Sequence, residues 1–265
     1  RLAKTAGFCM GVRLAMEKVL AEANKAQGPI YTFGPLIHNR QVMELLETKG
    51  VTAVEDVGDL REGTLVIRAH GIPPHAHDTL KATGLRIINA TCPRVARVQA
   101  IIRSHTRKGC EAVIVGDRDH AEVIGLRGYA EGRSYVIDSV SDVDALPEDR
   151  DLVVVAQTTQ DARIYEEITR TIRERNPRAT VFDTICDATH SRQDEVRSLA
   201  DQVNGMVVVG GYHSGNTKRL AQVSREVGLP TFHVETEKEL DRQALSRLGS
   251  VGVTAGASTP NWMIR

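Results

Sequence analysis

Short apolar, β-branched runs alternate with amphipathic segments along the whole chain. AVIVG at 112–116 and LVVVA at 152–156 have the length and composition of buried strands. Between such runs, apolar residues recur with helical spacing, as at Val196, Leu199 and Val203. This alternation predicts an α/β fold in which most strands are parallel.

The same succession of strand, cysteine and helix occurs three times. Cys9, Cys92 and Cys186 each end a strand-like segment and begin a helical one, and they lie about 90 residues apart. Repeats of this length indicate duplicated domains rather than a stacked array of short repeats. We therefore predict three similar α/β domains in a pseudo-threefold arrangement. Their predicted boundaries are 1–92, 93–186 and 187–265.

Each repeat also has two polar loops, each after a strand. When the first loops are aligned on the glycine that ends the strand, His38, His120 and Ser214 occupy the same position. The polar residues of the second loops are His70, Thr158, Thr159 and Ser258. Because open α/β sheets bind ligands at the carboxyl ends of their strands, three such edges facing one another would enclose a central cavity.

Three cysteines at three helix N-termini predict a metal site. The helix dipole and the free N–H groups of a first turn favour a thiolate. Thiolates are ligands of zinc and of iron–sulfur clusters, and the spacing of these three does not distinguish the two. Cys110 has no counterpart in the other repeats, so we interpret it as a packing residue.

The composition and charge of the chain argue against some classes of binding partner. The chain is 41% hydrophobic and 26% charged, with zero formal net charge, which argues against binding to nucleic acid or to an anionic membrane surface. Its apolar runs are shorter than the ~18 residues of a membrane span. Four cysteines in 265 residues do not make a disulfide scaffold, so we expect a cytoplasmic protein.

Eight motifs, found in order between Ala6 and Trp262, are similar to those of one family. They are AGFCMGV, RAHG, NATCP, GDRDHAEVIG, AQTT, ICDAT, SGNTKRL and TAGASTP. The chain thus resembles the LytB family of 4-hydroxy-3-methylbut-2-enyl diphosphate reductases, which catalyse the last step of the methylerythritol phosphate pathway to isoprenoids. The resemblance implies reductive dehydroxylation of a small allylic diphosphate to isopentenyl and dimethylallyl diphosphates. It also implies three α/β domains around a central iron–sulfur cluster.

The resemblance implies a role for particular residues. Cys9, Cys92 and Cys186 match the ligands of one [4Fe–4S] cluster with an open apical iron, Glu122 the proton donor, and Thr158 a residue near the substrate hydroxyl. Reduced ferredoxin or flavodoxin would supply the electrons, and we expect a monomer or dimer. The expected diphosphate-binding residues, which include the backbone N–H of Gly215, are His38, His70, His120, Thr159, Ser214, Gly215, Asn216 and Ser258.

The chemistry of these residues is compatible with those roles. Imidazole, hydroxyl and amide groups at helix N-termini can bind a diphosphate, which would favour the charged form of each histidine. The pKa of Glu122 should be raised, because nearby thiolates and phosphates disfavour a further negative charge. Glu122 could instead be a helix-start acid stabilised by the helix dipole. Thr158 can donate and accept, so it could relay a proton.

Three other classes of protein could use the same cysteines. A non-redox hydratase or lyase would use the open iron only as a Lewis acid, and an iron–sulfur sensor would catalyse nothing. A catalytic zinc protein would hold zinc in place of the cluster. Dependence on a reductant and metal analysis distinguish these alternatives from a reductase.

Overall fold

The strands form three separate sheets, each with helices along it. The computed structural model describes residues 1–25 and 28–264. Every strand pair within that part of the chain is parallel. The predicted α/β fold with three similar sheets is confirmed.

The first sheet is built from the residues that follow Cys9. Its strands run in the order β2-β1-β3-β4. Side chains of β1 alternate between two apolar clusters, one on each face of the sheet, as Ile30 and Tyr31 illustrate. The elements are α1 (Met10–Ala23), β1 (Ile30–Phe33), α2 (Arg40–Glu47), β2 (Val51–Val54), β3 (Thr64–Ile67), α3 (Pro74–Ala82) and β4 (Arg86–Asn89).

The second sheet repeats this plan after Cys92. Its strand order is β6-β5-β7-β8, and β7 is buried at every position because helices cover both faces. Pro93 is the first helical residue, where its missing N–H costs nothing. The elements are α4 (Pro93–Thr106), β5 (Glu111–Val115), α5 (Ala121–Arg127), β6 (Ser134–Ile137), β7 (Leu152–Ala156), α6 (Ala162–Arg175) and β8 (Thr180–Val181).

The third sheet follows Cys186 and is completed by the other end of the chain. Its strand order is β10-β9-β11, and Leu2 forms a parallel bridge with Val253 of β11. The N-terminal segment thus takes the place that β4 and β8 have in the other sheets. The elements are α7 (Asp187–Ala200), β9 (Gly205–Val209), α8 (Gly215–Glu226), β10 (Thr231–Val234), α9 (Arg242–Leu245) and β11 (Val251–Ala255).

Within the described residues, 3-10 helices span Val140–Ala145, Glu237–Glu239 and Asn261–Met263. Across the part of the chain that the structure describes, no helix is both long and apolar enough to cross a membrane. The domain boundaries at residues 92 and 186 stay a prediction. The bridge at Leu2 shows that sheet membership does not follow them at the N-terminus.

Candidate functional site

One cavity of about 100 Å³ is lined by residues that follow strands of all three sheets. Its lining includes every residue for which the sequence predicted a role in the site. These are Cys9, His38, His70, Cys92, His120, Glu122, Thr158, Thr159, Cys186, Ser214, Gly215, Asn216 and Ser258. The structure brings them together, and their individual roles remain predictions.

The topology explains why these loops meet. In each sheet the strand order reverses between two central strands, β1 and β3, β5 and β7, or β9 and β11. Open α/β sheets bind ligands at such a switch point, beyond the carboxyl ends of the strands. His38 and His70 follow the two central strands of the first sheet, and Ser214 and Ser258 those of the third.

The cysteine end of the cavity consists of three helix N-caps. Cys9, Cys92 and Cys186 are the N-cap residues of α1, α4 and α7, and Cys9 Sγ accepts from Val12 N at 3.5 Å. A Cβ atom on Gly11 would lie 2.5 Å from Cys92 Sγ, so only glycine leaves room for the sulfur.

Burial raises the pKa of the Cys92 and Cys186 thiols. Backbone N–H groups at the start of α4 and α7 act to lower the pKa of these two thiols, as the sequence predicts, but burial outweighs them. A bound cation would favour the thiolates, because metal binding deprotonates a thiol. The donor set of three partly buried cysteines that line one cavity thus fits a soft metal centre.

Three histidines that lie close together form the histidine end of the cavity. Ring centroids lie 4.3 Å apart for His38 and His70, 5.3 Å for His38 and His120, and 5.5 Å for His70 and His120. Burial, followed by the proximity of His120, lowers the pKa of His38 to about 3. Burial also lowers the pKa of His120 to about 4 and that of His70 well below its usual value. The three rings are neutral near pH 7 in the ligand-free protein.

Several buried polar atoms lie at this end of the cavity. Among residues 1–25 and 28–264, no hydrogen-bond partner is found for His38 Nε2, His70 Nδ1 or Asn216 Nδ2. Buried polar groups are normally satisfied, so these atoms indicate a bound ligand. One ring nitrogen from each histidine lies within 4.8 Å of the others, a spacing that could also hold a metal ion.

The third sheet adds hydroxyl, amide and backbone groups beside the histidines. Ser258 Oγ donates to Ser214 Oγ at 3.3 Å and to His38 O at 3.2 Å. Gly215 is the first residue of α8, and a Cβ there would lie 3.1 Å from His120 Nε2 and 2.9 Å from Thr159 Oγ1. The absence of a side chain therefore allows the backbone of α8 to approach the second sheet closely.

Glu122 lines the same cavity and is only 2% exposed. Its carboxylate accepts from Thr158 N at 2.7 Å and from Thr158 Oγ1 at 2.8 Å. Burial raises the pKa of Glu122 to about 7, although both hydrogen bonds from Thr158 act to lower it. The expected rise is present, but its main cause is desolvation rather than like charge, and the nearby charge that adds to it is Asp117.

Thr189 lines the cavity and was missed from sequence. It is the third residue after Cys186, and the third residues after the other two cysteines, Val12 and Val95, line the cavity as well. Its hydroxyl donates to Thr158 O at 3.0 Å. When the three repeats are aligned on their cysteines, two of them have valine at this position and the third has threonine. That alignment would have identified Thr189 from the sequence.

Other chemically active residues lie elsewhere. Cys110 packs against the apolar cluster of the second sheet, consistent with its interpretation as a packing residue. His213 is exposed and lines a neighbouring cleft with Arg68 and Lys218. His190 faces Asp183 at 3.6 Å, outside the cavity lining.

The fold and the cavity define a class of protein, in which three parallel sheets with flanking helices surround a site that combines three cysteines with a cluster of three histidines. The chain belongs to the LytB protein family, whose model matches residues 1–265. The resemblance inferred from eight short motifs is confirmed over the full length.

Relatives with assigned activities cover nearly the whole chain. The 4-hydroxy-3-methylbut-2-enyl diphosphate reductase of Oleidesulfovibrio alaskensis is 45% identical over 266 residues, which cover 99% of this chain and 95% of that protein. The enzyme of the same name from Opitutus terrae is 43% identical over 274 residues, with the same coverage of each.

Two solved structures are similar as well. The E-1-hydroxy-2-methyl-but-2-enyl-4-diphosphate reductase from Plasmodium falciparum superimposes with a TM-score of 0.95 at 30% identity, over 99% of this chain and 84% of that one. An (E)-4-hydroxy-3-methyl-but-2-enyl diphosphate reductase, described as the terminal enzyme of the non-mevalonate pathway, gives 0.72 at 39% identity, over 100% and 95%.

Proposed function

We propose that this protein is a 4-hydroxy-3-methylbut-2-enyl diphosphate reductase, the terminal enzyme of the non-mevalonate route to isoprenoids. The observation that carries this conclusion is the full-length identity of 43–45% to reductases of that name. The cavity supports it independently, because it combines a three-cysteine end with an end rich in anion-binding groups. The related proteins named above are reductases, which disfavours a lyase, a sensor or a zinc enzyme.

The cysteine end is proposed to hold one [4Fe–4S] cluster through Cys9, Cys92 and Cys186. Three soft ligands face one space, and Gly11 leaves room beside Cys92 Sγ. A cluster with three protein ligands leaves one iron open; when bound, it supplies electrons and a Lewis-acid position for a substrate oxygen. The remaining chemistry falls to the side chains described above.

The histidine end is proposed to bind the diphosphate. His38 Nε2, His70 Nδ1 and Asn216 Nδ2 can donate to phosphate oxygens, as can the hydroxyls of Ser214 and Ser258. Because α8 begins at Gly215, its free N–H groups add a partial positive charge. An anion so close to the imidazoles would raise their pKa values and draw protons onto them.

Glu122 is proposed to donate the proton that turns the leaving hydroxyl into water. A carboxyl with a pKa of about 7 is partly protonated at neutral pH, as a general acid requires. Thr158 holds both carboxyl oxygens and orients the acid. The overall reaction consumes two electrons and two protons per substrate, breaks the allylic C–O bond and releases water and a C5 diphosphate.

The electrons are proposed to come from a reduced ferredoxin or flavodoxin in the cytoplasm. The small-molecule diphosphate is proposed to bind in the cavity. The protein is proposed to act as a monomer or dimer.

An anaerobic turnover assay tests the function. Purified, cluster-loaded protein is mixed with a reduced viologen dye, and 4-hydroxy-3-methylbut-2-enyl diphosphate is added. We expect the dye to be reoxidised and isopentenyl and dimethylallyl diphosphates to form. Iron and sulfide contents that show a full cluster, with no reoxidation, would overturn the reductase and favour a lyase or sensor. Metal analysis that finds zinc and no iron would overturn the assignment of an iron–sulfur cluster.

A further inference from the structure

A buried cation lies behind the cysteine end of the cavity. Arg192 is on the buried face of α7 and is only 5% exposed. Its Nη1 donates to Ala188 O at 2.8 Å, and its Nη2 donates to Gly7 O at 2.6 Å. Each acceptor lies two residues from a cysteine, Cys186 in the first case and Cys9 in the second. The guanidinium therefore joins the two backbone segments that carry these cysteines.

No carboxylate compensates this charge. Among residues 1–25 and 28–264, Arg192 forms no ion pair with an acidic side chain, and its Nε has no hydrogen-bond partner. Glu195, one turn further along α7, accepts instead from the backbone of Lys4 at 2.6 Å and of Thr5 at 2.8 Å. A buried guanidinium without a counter-ion is costly, so its presence calls for a nearby anion.

The cysteine sulfurs are within electrostatic range of that charge. Burial lowers the pKa of Arg192, while negative charge on Cys9 and Cys186 acts to raise it, with a smaller contribution from Glu195. The nearby positive charge of Arg13 acts in the lowering direction. Metal-bound thiolates would therefore supply the missing counter-charge.

We propose that Arg192 is a positioning residue of the metal centre, acting as the buried counter-ion of metal-bound Cys9 and Cys186 and favouring the reduced state of the cluster. This inference rests on the iron–sulfur centre of the proposed function. A cluster gains one negative charge when it accepts an electron, so a fixed cation in low dielectric stabilises the reduced form more than the oxidised form. Arginine suits this position because it stays charged when buried and its planar fork holds two carbonyl groups.

The test compares Arg192→Met, Arg192→Lys and a matched control, Gln193→Met, which removes a fully buried but uncharged side chain from the same helix. For each protein, iron and sulfide per chain and the reduction potential of the cluster are measured anaerobically. At a fixed potential, we expect the ratio of reduced to oxidised cluster in Arg192→Met to fall about tenfold, a shift of about 59 mV for one electron. Arg192→Lys should shift less, and Gln193→Met not at all.

Arg192→Lys keeps the test decisive if Arg192→Met loses its cluster. The lysine retains the positive charge but loses the planar fork that donates to Gly7 O and Ala188 O, so loaded Arg192→Lys should keep most of the parent potential. An unchanged potential in fully loaded Arg192→Met would overturn the proposal and leave Arg192 a structural residue. Loss of the cluster in both variants would overturn it as well, because the charge is present in Arg192→Lys. If the parent protein itself takes up no iron and sulfide, the proposed metal centre fails instead.

Discussion

The two ends of the cavity differ in how they use the threefold repeat. At one end the repeats are equivalent, because each supplies a cysteine as the N-cap of its first helix. At the other end the equivalent loop positions have diverged, with His38 and His120 in two repeats and Ser214 in the third. Glu122 occurs in the second repeat alone, held by Thr158 from the same sheet.

Under the proposed function, this difference separates metal binding by the cysteines from substrate binding by the polar loops. A metal centre with three equivalent ligands suits three equivalent positions, whereas a substrate with an anionic end and a reacting hydroxyl needs unequal groups. The shared fold thus supplies the geometry, and divergence of the loops supplies the chemistry. Experiments can test whether the cysteine end is truly equivalent and whether the polar end is truly specialised.

The largest effect is expected at the cysteine end. Cys9→Ser, Cys92→Ser and Cys186→Ser should each abolish or severely reduce cluster binding, because a cluster loses one of its three thiolates. Iron and sulfide per chain and the visible spectrum measure this. Cys110→Ser is the matched control and should retain the cluster, because Cys110 packs in the second sheet. A cluster that survives in one of the three variants would show that the repeats are not equivalent.

The second-largest effect is expected at Glu122. Glu122→Gln should lower kcat by roughly 10²–10⁴ while cluster content and substrate binding change little, because the amide keeps the shape but cannot donate a proton as an acid does. Single-turnover kinetics and the dissociation constant of the substrate separate the two properties. Unchanged turnover would assign the proton to another group and remove the specialisation of the second repeat.

The smallest effect concerns stability and pH. The pKa of His38 is about 3 in the folded protein and near 6.5 in water, so the unfolded chain binds more protons between these values. His38 therefore makes the free energy of unfolding fall as the pH falls from 6.5, by about 1.4 kcal/mol per pH unit. In metal-free protein, urea titrations at several pH values give the free energy of unfolding. For His38→Gln its slope against pH should be smaller than that of the parent by the equivalent of one proton. The exposed His75→Gln is the control, and an equal slope in parent and His38→Gln would show that His38 is charged in the fold.

The sequence alone determined the α/β class and the three repeats, because these depend on short-range periodicity and on spacing along the chain. The resemblance to the LytB family added most of the polar residues that line the site, but not Thr189. Strands such as β5 and β7 are continuous apolar runs, and each cysteine directly precedes a helical pattern. Because all three repeats share one topology, the polar loops could be placed at one cavity before any coordinate was known.

Only the tertiary structure decided how the environment acts on these residues. The pKa of Glu122 is raised mainly by burial, and the histidines are neutral for the same reason. Arg192 donates a hydrogen bond to Gly7 O, and Thr189 donates one to Thr158 O. Each acceptor is distant from its donor in the chain. Desolvation and contacts between remote segments depend on how helices and sheets pack together, and no local pattern of residues specifies that packing.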